Sequence, residues 1–133
     1  MGKLIRFTWA TIIVHAGVST LHGAAHQILG VKLTLSQSLF VIIVIAIAPL
    51  LAGVLLWKKA SAAGAIILLL SMAGSLAFGV YHHFVAISPD HVAHVSALSH
   101  SSWVTVFQAT AFLLAPVEAV GVVAGILLLK RGT

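Results

Sequence analysis

A chain of 133 residues in which 61% are hydrophobic and only 7% are charged cannot coat itself with polar surface; a soluble domain carries about a quarter charged residues. The mean hydropathy of +1.18 points the same way, to an all-α integral membrane protein built as one transmembrane domain over 1–133. The formal charge of +5 is no nucleic-acid footprint, because the basic residues sit in short clusters at the ends of apolar runs, and the absence of cysteine excludes disulfides, thiolate metal sites, iron–sulfur clusters and cysteine nucleophiles.

Four apolar segments are long enough to cross about 30 Å of hydrocarbon. They run over about 7–29, 38–57, 61–84 and 103–129. Helices are required, since an open sheet would leave backbone groups unpaired in lipid. With four crossings, Lys3, Arg6, Lys58, Lys59, Lys130 and Arg131 share one side, and Lys32 alone is on the other. This bias predicts cytoplasmic N and C termini for a four-helix bundle, with the connections 30–37 and 85–102 on the extracytoplasmic side. Trp57 and Trp103 fall at segment ends, as interfacial aromatics do.

The first segment resembles a signal peptide in its basic start and in Gly23-Ala24-Ala25, but His15 interrupts the apolar stretch, so it is read as a membrane helix. At 100° per residue, Thr8, Thr11, His15, Ser19, His22 and His26 fall within an arc of about 80°. That stripe is expected to face the bundle, because a histidine facing lipid is unsatisfied. The second segment has almost nothing polar between Ser38 and Lys58 and reads as a packing and lipid-facing helix. In the third, Gly64, Ser71, Ser75 and His82 lie within about 40°, which points His82 toward the packed side and leaves His83 turned about 100° further round. In the fourth, Gln108, Ala111, Ala115, Glu118 and Gly125 share an arc of about 100°. Ala-Pro pairs at 48–49 and 115–116, each followed by Ala-Gly, give a faint echo of a duplicated hairpin.

A rise of 1.5 Å per residue puts His15 and Glu118 near mid-membrane, and His26 level with His82 toward the outer surface. The pair His15 and Glu118 is expected to act as a proton relay or as a hydrogen bond that pairs two helices. The outer connection adds Asp90, His91, His94 and His100, so seven of the eight histidines gather at one end. Imidazole suits Zn, Cu and Fe, and His22 and His26 at i,i+4 can chelate one ion from one helix face. The expected metal-ligand set is therefore drawn from His22, His26, His82, His83, His91, His94, Asp90 and His100.

Two other functions fit the same residues. A b-type haem, with bis-histidine ligation by His82 and either His26 or His22, would make the chain an electron carrier. A small accessory subunit of a larger membrane complex, or a homo-oligomer, would use the histidines structurally or to contact a partner, pigment or quinone. The spacings His-x3-His, His-His and His-x2-His resemble the histidine boxes of membrane desaturases and hydroxylases in composition alone. Those enzymes are longer and carry their boxes on the cytoplasmic side, so no family is assigned. The partner predicted in every case is the lipid bilayer; nucleic acid is not expected.

Overall fold

The computed structural model describes residues 2–58, 61–98 and 101–132. It has four long helices, α1 (Lys3–Leu29), α2 (Leu35–Trp57), α3 (Ser61–Val85) and α5 (Ser102–Lys130), each long and apolar enough to cross a membrane. A short helix, α4 (Val92–Leu98), lies in the connection between α3 and α5. Among the described residues there is no strand.

Helix ends follow local chemistry. Gly30, with φ of 68°, ends α1 in the left-handed conformation that glycine adopts without steric cost, and its N–H bonds back to Gln27 O. Thr34 then starts α2 in a capping box with Gln37, three residues before the start expected from hydropathy alone. Within α2, residues Val41–Ile47 form a π-helical stretch just before Pro49. A proline offers no N–H and crowds the carbonyl four residues back, and a wider turn relieves that clash.

Two apolar clusters hold the bundle. The inner one joins Ile12, Ala52, Leu56, Leu68, Met72 and Leu128, and it is tight because glycines let backbones approach. A Cβ on Gly125 would meet Leu69 Cα at 3.1 Å, and one on Gly64 would meet Ala52 O at 3.0 Å. The outer cluster is Ala25, Val31, Val95 and Phe107. Here α4 differs from the irregular loop expected over 85–102: Val92 and Val95, three apart, pack on the Trp103–Phe107 turn of α5, while Gln108 Nε2 donates to Ser96 Oγ at 2.5 Å. Elsewhere the long helices turn large apolar side chains outward, with Ile13, Leu70 and Phe112 each more than 60% exposed. An apolar surface of that extent suits a lipid surrounding.

Candidate metal centre

The polar stripe of α1 turns inward as its spacing predicts: Thr8, Thr11, His15, His22 and His26 are buried, and Ser19 is half-buried. Thr8 and Thr11 donate to the carbonyls of Leu4 and Phe7, one turn back, and form no continuous polar track. At mid-bundle His15 Nε2 meets Glu118 Oε1 at 3.4 Å, with Ser19 Oγ also 3.4 Å from the same nitrogen. The two residues paired from depth alone are thus in contact, and both are buried.

One helical turn or two further out, four side chains converge. His22 and His26 come from α1, His83 from the end of α3, and Asp90 from the turn that leads into α4; their candidate ligand atoms all lie within 4.8 Å of one another. His22 Nε2 is 3.2 Å from His26 Nε2 and 3.2 Å from His83 Nε2. Asp90 Oδ1 is 3.0 Å from His26 Nε2 and 3.3 Å from His83 Nδ1. No N–H is well aligned on that oxygen, so charge rather than a directed hydrogen bond holds it there.

The far side of each ring offers a partner for Nδ1. Val31 O, 3.4 Å from His26 Nδ1, and Asp90 O, 3.0 Å from His83 Nδ1, are carbonyls and can only accept, so a proton on either Nδ1 has an acceptor waiting. Thr110 Oγ1 spends its own proton on Val106 O, at 2.7 Å, and accepts from His22 Nδ1–H at 2.8 Å. With the proton of each neutral ring on Nδ1, all three Nε2 atoms present lone pairs to one another at contact distance. Such an arrangement is repulsive unless a cation is shared among them. Phe107 packs on the cluster, its ring 4.7 Å from that of His22 and 5.1 Å from that of His26. For the Asp90 carboxyl, burial alone acts upward, but the adjacent His26 and His83 imidazoles outweigh it and hold the group well below the usual carboxylate range.

The structure does not bring the whole expected ligand set together. His82, expected on the packed face, is half-buried beside Phe78 and Tyr81, with ring centroids 4.4 and 5.1 Å away, and is not in the cluster. The reason is the π-turn Tyr81–Val85, closed by Ala86 N–H donating to Tyr81 O at 2.7 Å. Each residue of a wider turn advances less than 100°, so the stripe of Ser71 and Ser75 is continued by His83 instead of His82. His91 Nδ1 accepts from Ala93 N–H on the adjoining turn, and His94 is exposed; neither joins the group. His100 lies outside the described residues. For the haem pairing of His82 with an α1 histidine, the ring neighbours of His82 are Phe78 and Tyr81, and the α1 histidines cluster with His83 instead. Thr110 was not anticipated, and its only sequence signal is its position eight residues, or about two turns, before Glu118 on one face of α5.

A cavity of about 600 Å³ adjoins the cluster, between α1, the outer half of α2 and α3. His22, His26, His83 and Asp90 are in its wall, together with Ser75 and Glu118. Comparison with protein-family models, with curated proteins and with solved structures finds no match for this chain, so the chemistry is argued from these side chains alone.

Proposed function

We propose that this chain is a multi-pass membrane protein that holds one transition-metal ion at the outer end of its helix bundle, on the Nε2 atoms of His22, His26 and His83 and the carboxylate of Asp90. The observation that carries this reading is the convergence of three buried imidazoles and one buried carboxylate, with their candidate ligand atoms within 4.8 Å of one another. A tetrahedral ion with bonds of about 2.0–2.1 Å to nitrogen sets its ligand atoms about 3.3–3.4 Å apart. The two short Nε2 separations are 3.2 Å. Each ring is also oriented by an acceptor at Nδ1, the support that metal-ligating histidines characteristically have.

Three imidazoles and one carboxylate make a donor set of intermediate softness, suited to Zn, Fe or Cu. The compact grouping favours a bare ion over haem, because a porphyrin plane needs a slot between its two imidazoles, and here they are in contact. Bound in this place, the ion would act as a Lewis acid toward an oxygen in the adjoining cavity, or as a one-electron centre if it is Fe or Cu. The bias of basic residues toward the inner ends supports an extracytoplasmic position for the site.

The test is elemental mass spectrometry on untagged protein purified in mild detergent without chelator. About one equivalent of Zn, Fe or Cu per chain is expected, lost in His26→Ala and in Asp90→Asn. Protein that folds and carries no metal, even after incubation with each ion, overturns the reading.

A further inference from the structure

The cavity beside the cluster has a form of its own. At the inner end α1 and α2 are closed together: Trp9 packs over Gly53, where a Cβ would meet its ring at 2.9 Å, and lies edge-on to Trp57 at 6.4 Å. At the outer end α2 leans instead on α3, with Phe40 stacked on Phe78 at 4.8 Å and Val44 against Gly74. The two helices thus part toward the outside, and the space between them is the cavity. Its α2 wall is mostly apolar, with Val41, Ile42 and Ile45 beyond Ser38 at the mouth, on a segment that also turns Ile42, Ile43 and Ile47 outward.

The opposite wall is polar in a specific way. Besides the four cluster residues it holds Glu118, already in contact with His15, and Ser75. The Ser75 hydroxyl is fully buried and has no hydrogen-bond partner, although serines in helices ordinarily bond back to a carbonyl, as Ser71 does to Leu68 O. A buried hydroxyl left unpaired carries the full cost of its lost hydration. A ligand atom in the cavity removes that penalty. Gly23, which carries no side chain over this space, has nothing within 4 Å of where a Cβ would stand.

We infer that this cavity is the binding site for a lipophilic molecule with a neutral oxygen head, a hydroxyl or carbonyl, that enters from the bilayer between the outer halves of α1 and α2. The tail lies along Val41, Ile42 and Ile45. The head lies between Ser75, Glu118 and the histidine cluster, where Ser75 donates to it or accepts from it and the Glu118–His15 pair can take up its proton. A cationic head loses the attraction of the carboxylates once an ion occupies the cluster, and with the histidines engaged by that ion Lys32 is left as the one lysine or arginine in the described lining, so a free anion is not favoured either. The inference deepens the metal reading, since it supplies the molecule on which the ion would act, but it rests on that reading only for the head-group end.

The experiment uses the full chain in phosphatidylcholine nanodiscs and follows two quantities in each sample, metal content and equilibrium binding of tritiated dodecanol. Decylubiquinol and dodecyltrimethylammonium serve as competitors. Saturable dodecanol binding is expected in the wild type and at least tenfold weaker binding in Gly23→Trp, which fills the cavity and leaves all four candidate ligands in place. Ser75→Ala is expected to weaken binding about three- to tenfold, with metal content unchanged in both variants. A second blocking variant, Ile42→Trp on the other wall, guards against misfolding of the first. Stronger competition by decylubiquinol than by unlabelled dodecanol assigns the head to a quinol ring; the reverse assigns it to a simple alcohol. Equal binding by wild type and both blocked variants, no saturable binding, or preference for dodecyltrimethylammonium overturns the inference. Binding that is blocked by both tryptophans in a protein free of metal sinks the metal reading and leaves the pocket standing.

Discussion

Two places in this bundle pair histidine with a carboxylate, and they differ in the number of atoms that compete for one proton. At mid-bundle one imidazole meets one carboxylate, His15 and Glu118 on α1 and α5, 3.4 Å apart and both buried, with Ser19 Oγ beside the same nitrogen. At the outer end His22, His26, His83 and Asp90 bring four groups together, and each ring also has an oxygen within reach of its Nδ1. The same residue types thus make a helix-pairing contact in one place and, in the proposed reading, a cation site in the other. The distinction is set by what lies behind each ring.

The largest expected effect separates two adjacent residues. His83→Ala should abolish stoichiometric metal, because it removes one of three converging nitrogens and leaves the Asp90 charge without a neighbour from α3. His82→Ala should retain metal, since that ring rests against Phe78 and Tyr81 outside the cluster. Elemental analysis of the two purified variants decides it. Loss in His82→Ala with retention in His83→Ala would restore the regular helical register and remove the role assigned to the π-turn.

That pair of neighbours also marks how far the sequence could be read. Hydropathy located the four long helices, and the 100° stripe of α1 correctly turned His15, His22 and His26 inward, because an uninterrupted helix keeps its phase over its whole length. Depth counting brought His15 to Glu118 for the same reason. The exchange of His82 for His83 was not legible, since no local propensity announces a π-turn. The position of Asp90 depended in turn on α4. Its short apolar repeat, Val92 and Val95, became meaningful only against the Phe107 turn of α5. Loop histidines carried no periodicity, so His91 and His94 could not be ranked against the helical ones.

A second comparison sets the tightly packed inner end against the cavity-bearing outer end. Gly125→Ala places a methyl against the Leu69 backbone, which cannot move aside without separating α3 from α5. A destabilisation of about 1–3 kcal/mol is expected, as for overpacked cores. Steric-trap or denaturant unfolding in detergent measures it, and metal content per folded chain should stay at the wild-type level. Metal loss in parallel with stability would mean that the two ends are one cooperative unit and that the contrast between them is only geometric.

Thr110→Val probes the proton arrangement that distinguishes the cluster from the mid-bundle pair. The substitution keeps the shape and removes the oxygen that accepts from His22 Nδ1–H. With that restraint gone, the ring can place its proton on Nε2 and withdraw a lone pair from the site. Loss of such an orienting partner typically costs tenfold or more in metal affinity. A competition titration against a chromophoric chelator should report about a tenfold weaker Kd, with stoichiometry preserved. An unchanged Kd would mean that His22 is held in its tautomer by the ion itself.

The smallest expected effect belongs to the mid-bundle pair. Buried polar contacts between membrane helices are worth about 0.6 kcal/mol on average, with a maximum near 1.7, because the separated helices also find partners. A double-mutant cycle with His15→Leu and Glu118→Leu should return a coupling in that range. Neither single variant should release metal, since neither side chain belongs to the converging set. A coupling of several kcal/mol would mark a fully ionised pair, with a buried charge left uncompensated in each single variant. Metal loss in Glu118→Leu with a small coupling would instead tie this carboxylate to the outer site across the cavity both help to line, and the two regions would then work as one proton-handling centre.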